Sequence, residues 1–179
     1  MTEYVQPPKR LDGQIVLAPY DEAWPTTYTR LSSAIRDALG DVVVEHVGST
    51  SVPGLDAKPI IDVNLIVADS ADEPSYVPAL EELGYVLVIR EPDWHEHRLL
   101  RLADPAVNLH VFTTGCPEHD RMITFRDRLR SDDAARNRYL AAKRRLASRK
   151  WAYVQDYADE KSSVVEQILS DEQGSRSSY

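Results

Sequence analysis

Two apolar segments joined by a turn of small polar residues determine much of what this chain can form. Val42–Val47 is rich in β-branched residues, which predicts a strand, and a second predicted strand covers Pro59–Val67. Between them lies Gly48-Ser49-Thr50-Ser51. Because glycine allows the backbone to approach a ligand closely, and exposed amides and hydroxyls suit an anion, we expect Gly48, Ser49 and Thr50 to hold a phosphate group.

The rest of the pattern predicts one α+β domain. Apolar residues recur at steps of three and four between Asp21 and Gly40, which predicts a helix. A mixed sheet followed by helices predicts a single domain over residues 14–170, with flexible tails at 1–13 and 171–179. The other predicted elements are an edge strand at Gln14–Leu17, a helix at 76–84, strands at 85–89, 97–102 and 107–113, and helices near 119–130, 133–149 and 151–169.

Composition excludes several classes of protein. Cys116 is the only cysteine among 179 residues, which excludes an internal disulfide and a cysteine-based zinc cluster. No apolar run is long enough to span a bilayer, and the first residues lack the apolar core of a signal peptide. We therefore expect a cytoplasmic protein without membrane contact. The formal net charge of −8 argues against general binding of nucleic acid.

Positive charge is nevertheless concentrated between residues 121 and 150, which hold eleven Lys or Arg against three Asp. Such a segment commonly forms a solvated helix face. The functional interpretation is a basic wall that faces a phosphate-bearing ligand. Arg126 in this segment, Arg98 on a predicted strand and Lys58 between the turn and its strand are the predicted phosphate contacts, and Trp94 is the candidate for stacking on a base.

A candidate cation site lies on the second strand. Asp62 and Asn64 are two residues apart, so their side chains point to the same face and can share a hard cation such as Mg²⁺ or Mn²⁺. His97 and His110 lie on partner strands of a predicted hairpin, and with Asp62 they offer a site for Zn²⁺ or Mn²⁺. The purely structural alternative is that the two histidines form a hydrogen-bonded cross-strand pair.

At this point the residues resemble a known family. The run His46-Val47-Gly48-Ser49-Thr50-Ser51-Val52-Pro53-Gly54-Leu55, followed by Ala57-Lys58-Pro59-Ile60-Ile61-Asp62, is similar to the signature of the GrpB family. The resemblance extends over residues 14–170. It is supported by Pro19-Tyr20-Asp21, Trp24-Pro25, Asn108-Leu109-His110-Val111-Phe112, Phe125-Arg126-Asp127-Arg128-Leu129-Arg130, Tyr139 and Lys143.

The resemblance implies the polymerase-β-like fold of the nucleotidyltransferase superfamily, a small mixed sheet with flanking helices and a helical C-terminal region. In active members a Gly-Ser turn holds the nucleotide triphosphate, and three carboxylates bind two Mg²⁺ ions. Gly48 and Ser49 match the turn, and Asp62 matches the first carboxylate. Asn64 stands at the second position and His110 is expected at the third, which makes Asp62, Asn64 and His110 the implied catalytic set. The family also occurs fused behind dephospho-CoA kinase, which implies a nucleotide or coenzyme context.

The departure from three carboxylates leaves three hypotheses. One carboxylate, one amide and one imidazole hold two cations poorly, because carboxylates offset the repulsion between the ions. The chain is expected to be a nucleotide-binding protein that transfers a nucleotidyl or phosphoryl group. The alternatives are a non-catalytic nucleotide- or coenzyme-binding module, and a metal-dependent phosphohydrolase that uses the histidines.

Overall fold

The sheet at the centre of the molecule has six strands. The computed structural model describes residues 1–7, 15–149, 151 and 161–171. Only β3 and β6 pair in parallel, and the other pairs are antiparallel, so the sheet is mixed. The strands are β1 (Glu3–Tyr4), β2 (Val43–Val47), β3 (Ile61–Val67), β4 (Val86–Glu91), β5 (His97–Leu102) and β6 (Val107–Thr113), in the spatial order β1-β4-β5-β6-β3-β2.

The helices begin and end at residues whose chemistry favours those positions. Asp21 accepts a hydrogen bond from the Ala23 amide through its Oδ1 at 2.8 Å, and Gly40 follows the last helical residue with a φ of 84°. Asp132 accepts from the Ala135 amide in the same way. The helices are α1 (Ala23–Leu39), α2 (Val77–Glu82), α3 (Pro117–Ser131) and α4 (Asp133–Ala147), with single 3₁₀ turns at Ser49–Ser51 and Glu73–Ser75 and a further helical segment over 161–171.

Alternation along the strands gives the sheet one apolar face and one polar face. Val63 and Leu65 on β3 point into the main core, where they pack with Ile35 of α1 and Leu80 of α2. Asp62 and Asn64, which alternate with them along β3, point to the opposite face of the sheet. Asp62 and its neighbours on β6 are therefore on the face that α1 and α2 leave uncovered.

A second apolar cluster fixes the turn after β2. Val52 and Leu55 are fully buried against Leu129 of α3, Tyr139 of α4 and Ile168. This packing places the C-terminal helices beside the Gly48–Ser51 turn. The helices thus form one wall of the space above the polar face of the sheet.

The structure confirms the α+β class and the mixed sheet with flanking helices, and it corrects the prediction of an edge strand at Gln14–Leu17. Residues 15–17 form no strand, and only Ala18 makes an isolated bridge, to Ala57. Within the predicted N-terminal tail, Glu3 and Tyr4 pair with β4. The middle of the predicted 151–169 helix lies outside the described residues, and its end is helical. Among the described residues, no helix is long and apolar enough to cross a membrane.

Candidate functional site

A cavity of about 610 Å³ lies on the polar face of the sheet. A volume of this size is typical of a site for a small organic ligand. Tyr139 and Lys143, two of the residues that carry the family resemblance, line it together with the exposed Trp94. The cavity also brings together seven of the predicted site residues, which are Gly48, Ser49, Thr50, Lys58, Asp62, His97 and His110.

The backbone at Gly48 is shaped by the neighbouring carboxylate. Gly48 has a φ of 69°, and a Cβ built on it would overlap Oδ2 of Asp62. From behind, the turn is supported by His46, whose Nε2 lies 3.0 Å from the buried Thr50 hydroxyl. Burial lowers the pKa of His46 to about 4, so the ring is neutral and serves as a hydrogen-bonding support.

Asp62 is held ionised at the centre of the cavity. Its Oδ1 accepts a hydrogen bond from Asn108 Nδ2 at 2.9 Å and lies 3.9 Å from His110 Nε2. Burial raises the pKa of the Asp62 carboxyl, but the neighbouring His110 and the hydrogen bond from Asn108 outweigh burial. The net pKa is therefore below its ordinary value, and Asp62 is a carboxylate at neutral pH.

Three lysines share the cavity with this carboxylate. Lys58, Lys143 and Lys161 all line it. Burial, together with the charges of Lys161 and Lys58, lowers the pKa of Lys143 to about 7. The pKa of Lys58 falls to about 8 for the same two reasons, burial first and then the charge of Lys161. The three amines thus repel one another within one partly enclosed space.

The two predicted histidines do meet, as a hydrogen-bonded pair. His97 Nε2 lies 3.0 Å from His110 Nδ1, and His97 Nδ1 lies 2.8 Å from Glu91 Oε2. Both ring nitrogens of His97 thus have hydrogen-bond partners within the chain, and the metal cluster of His97, His110 and Asp62 stays a prediction. The pair matches the purely structural alternative for these residues.

Asn64 points to the same face of the sheet as Asp62, as predicted, but it does not line the cavity. It is fully buried, and its Nδ2 lies 3.1 Å from His119 Nδ1 and 3.5 Å from Met122 Sδ. Its Oδ1 has no hydrogen-bond partner among the described residues. Asn64 does not line the cavity, so the structure does not place it beside Asp62 as a second ligand.

Arg98 and Arg126, two predicted phosphate contacts, do not line the cavity. Arg98 follows His97 and so points to the other face of β5, where its Nε donates to Glu73 Oε1 at 2.7 Å. Arg126 donates from Nη1 to Glu45 Oε2 at 2.8 Å and to the His46 carbonyl at 3.0 Å, which ties α3 to β2. Both arginines are structural, because acidic partners inside the chain already occupy their guanidinium groups.

Most of the basic segment is likewise paired within the fold. Arg128 pairs with Asp132, Arg136 with Asp133 and Arg144 with Asp56. From the basic residues of 121–149, only Arg121 and Lys143 line the cavity. The predicted basic wall is therefore reduced to two residues, and Lys58 and Lys161 come to the cavity from other parts of the chain.

The donor set does not fit a centre that holds two metal ions. Asp62 supplies the carboxylate of the predicted cation site, and its Oδ1 already accepts a hydrogen bond from Asn108. Among the described residues, no group of three or more His, Cys, Asp or Glu is arranged to hold a metal ion. Two cations about 4 Å apart need several carboxylates between them. A site for Mg²⁺ or Mn²⁺ remains a prediction that would rest on Asp62 and His110.

Sequence reasoning missed several residues that line the cavity. Asn108 carried a usable signal, since it alternates with His110 on a predicted strand and therefore shares its face. Lys161 carried no such signal in the sequence, because its position depends on how the C-terminal helical segment packs. Glu91 and Glu118 are further lining residues that were not predicted.

The fold and site define an α+β protein in which a Gly-Ser turn faces an aspartate on the neighbouring strand. The model of the GrpB protein family matches residues 14–171, and the chain belongs to this family. A UPF0157 protein of Halalkalibacterium halodurans is 54% identical over 160 residues, which cover 88% of this chain and 82% of that protein. The crystal structure of the conserved protein GrpB from Enterococcus faecalis aligns with a TM-score of 0.66 and 26% identity, over 86% of this chain and 99% of the other.

A relative with a different name matches only in part. A dephospho-CoA kinase of Mycolicibacterium paratuberculosis is 31% identical over 162 residues. The match covers 74% of this chain and 40% of the kinase. The similarity therefore concerns less than half of that larger protein.

Proposed function

We propose that this protein binds a nucleotide or a related phosphorylated small molecule in the 610 Å³ cavity. The observation that carries the proposal is the convergence of Lys58, Lys143 and Lys161 on one cavity beside the Gly48–Ser49 turn. Ammonium groups are effective point-charge partners for phosphate oxygens. The phosphates would lie between the lysines and the turn.

The energetics of the lysines favour an anionic ligand. Lys143 is 2% exposed, and its Nζ donates to the Asp56 carbonyl at 2.6 Å. Holding charged amines near one another in a partly buried space costs free energy, which lowers their pKa values. A bound phosphate would reverse this cost, since its negative charge favours the protonated amines.

The remaining lining is suited to the rest of such a ligand. Trp94 is 42% exposed and makes an edge contact with His97 at 5.1 Å between ring centroids. An exposed indole face can stack on a base. The relative named as a dephospho-CoA kinase adds coenzyme A precursors to the ligands worth testing.

Nucleotidyl or phosphoryl transfer is the second candidate function. It is favoured by the ionised Asp62 and the adjacent His110 in the same cavity as the lysines. Binding alone does not require an ionised carboxylate beside an anion, because the two repel each other. A carboxylate retained at this place has a use if a proton or a cation must be handled next to the phosphate.

The test is a thermal-shift screen of nucleoside triphosphates, dephospho-CoA and inorganic tripolyphosphate, each with and without Mg²⁺ or Mn²⁺. A ligand that binds only the folded state adds about 2.7 kcal/mol of stability at one hundred times its Kd. We expect a shift that is lost in Lys143→Met. Arg145→Met is the matched control, because Arg145 is exposed on the same helix and does not line the cavity.

Two outcomes separate the candidates. Transfer predicts that wild-type protein converts the ligand found in the screen, and that Asp62→Asn stops conversion while still binding it. A binding module predicts equal binding in both proteins and no conversion. The absence of a shift with every phosphorylated compound would contradict the proposal itself.

A further inference from the structure

One end of the cavity is built by the first strand and its partner in the sheet. Tyr4 on β1 stands opposite Ile89 on β4, and both line the cavity. Thr2 and Glu91 line it as well, and the Thr2 hydroxyl donates to Glu91 Oε1 at 3.0 Å. Because alternate residues of a strand share a face, this edge of the sheet presents one continuous wall to the cavity.

Two large aromatic side chains at this end of the cavity are exposed. Tyr4 is 50% exposed, and Trp94, in the turn between β4 and β5, is 42% exposed. Both line the cavity, and Trp94 also makes an edge contact with the buried Phe112 at 6.0 Å between ring centroids. Exposed aromatic surface inside a cavity is surface that a ligand can bury.

The lysines lie at the other end of the same cavity. Lys58 precedes β3, and Lys143 on α4 donates to the Asp56 carbonyl two residues earlier in the chain. In the sheet, β5 and β6 lie between β4 and β3. Three strand spacings therefore separate the backbones of β4 and β3, which is about 14 Å.

This separation selects for ligand length. An inorganic phosphate held by the lysines does not reach the aromatic end of the cavity. A nucleoside triphosphate is long enough, because its base and its terminal phosphate lie at opposite ends of the molecule. The Glu91 carboxylate at the aromatic end repels phosphates, and the lysines attract them, so the charges favour one orientation of such a ligand.

We propose that the ligand of this cavity is a nucleotide whose base lies against Tyr4 and Trp94 while its phosphates lie at the lysines. The inference rests on the proposed function, because it assigns the ring end of a ligand whose phosphate end is assigned there. It makes Tyr4, and with it β1, part of the binding site. Any base fits this description, since every base has an apolar face that aromatic side chains can stack on.

The test compares ring-bearing probes with a ring-free probe by calorimetry. The probes are ATP, GTP, CTP, UTP and inorganic tripolyphosphate. We expect at least one nucleoside triphosphate to bind about tenfold more tightly than tripolyphosphate, or better. If tripolyphosphate binds as tightly as every nucleoside triphosphate, the proposal is overturned and the phosphate site of the proposed function stands. If no probe binds, both are contradicted.

Variants at the two ends of the cavity separate the two contributions. Tyr4→Ala should weaken binding of the tightest nucleoside triphosphate about tenfold and leave tripolyphosphate within about twofold of the wild type. Tyr4→Phe keeps the ring and should retain wild-type affinity, whereas Lys143→Met should weaken both kinds of probe. Val5→Ala is the matched control, because Val5 is exposed beside Tyr4 and does not line the cavity. Unchanged nucleotide affinity in Tyr4→Ala would overturn the role of β1.

The indole N–H resonance of Trp94 gives a second reading on the wild-type protein. In ¹⁵N-labelled protein, the nucleoside triphosphate that binds most tightly should shift this resonance, and tripolyphosphate should not. Equal shifts with both probes would place phosphate at the aromatic end and overturn the proposed orientation. This reading decides the orientation even if a variant fails to fold.

Discussion

The carboxylate of Asp62 occupies the space that a side chain at Gly48 would need. The two residues lie close together, because Gly48 directly follows β2 and Asp62 belongs to β3, which pairs with β2. A glycine is therefore required at this position by the protein's own carboxylate, in addition to its φ of 69°. The turn and the carboxylate form one structural unit.

Gly48→Ala should destabilise the fold more than the same change at Gly54. Both glycines have positive φ, 69° and 76°, so each substitution costs about 1 to 3 kcal/mol in backbone strain. A Cβ at position 54 meets nothing within 4 Å, whereas one at position 48 meets Asp62. We expect Gly48→Ala to lose about 2 kcal/mol more in urea unfolding.

The extra loss of stability in Gly48→Ala, compared with Gly54→Ala, should depend on the Asp62 carboxylate. Asp62→Ala removes the atoms that approach a Cβ at position 48 most closely, so the double variant should be less destabilised than the two single changes added together. Strict additivity, or equal losses in Gly48→Ala and Gly54→Ala, would show that the contact with Asp62 is not what excludes a side chain.

Lys143 should make the stability of the unliganded protein depend on pH. Its pKa is about 7 in the folded state and near 10.5 when unfolded. The unfolded chain therefore holds the proton more tightly than the folded protein does. Below about pH 7 the folded protein bears the full free-energy cost of the buried charge. As the pH increases from 7 toward 10.5, the free energy of unfolding rises. One such group contributes at most on the order of 1 kcal/mol per pH unit.

Lys143→Met should flatten this rise between pH 7 and 9 in chemical unfolding. The comparison concerns the slope, so a change in overall stability from losing the bond to the Asp56 carbonyl does not obscure it. Arg145→Met should leave the slope unchanged, because arginine does not titrate in this range. A slope equal to that of the wild type in Lys143→Met would rule out a buried, depressed amine at this position.

Arg98 should matter for stability and not for ligand binding. It is 5% exposed and pairs with Glu73 on the face of the sheet away from the cavity. Arg98→Met removes one of two guanidinium partners of the Glu73 carboxylate, which keeps its pair with Arg90, and should cost about 2 kcal/mol. The Kd for tripolyphosphate, measured by calorimetry on folded protein, should remain within roughly twofold of the wild type, whereas Lys58→Met should weaken it roughly tenfold.

Glu73→Gln gives the same comparison with a milder change, should Arg98→Met fail to fold. A tenfold loss of tripolyphosphate affinity in either folded variant would place Arg98 in the binding machinery after all. It would also contradict the assignment of its side chain to the opposite face.

Most of the fold could be predicted from the sequence, because the apolar pattern of each helix and strand is local. The β-branched run before Gly48 and the apolar stripe of α1 each report one element without reference to the rest of the chain. The edge strand at 14–17 was wrong because an apolar run shows that a segment can pair, not that a neighbouring strand has a free edge there. The pairing of Glu3 with β4 lacked any local signal.

The site was harder to predict from the sequence, because the direction of each side chain and its ion-pair partners determine which residues line the cavity. Arg98 and His97 are adjacent in sequence, yet only His97 faces the cavity, since strand register places them on opposite faces. The arginines of α3 were plausible phosphate ligands until their acidic partners were known. Lys161 became a candidate only when the C-terminal helical segment was placed against the cavity.

A chemical-shift titration of ¹⁵N-labelled protein with inorganic tripolyphosphate tests the proposed phosphate site most directly. We expect saturable shifts at the amides of Gly48, Ser49 and Thr50 and at Lys58, and none beside Arg98 on the opposite face. Lys143→Met should reduce the affinity, and Arg145→Met should not. Shifts that do not saturate, or that centre on the exposed arginines of α4, would contradict a phosphate site in this cavity.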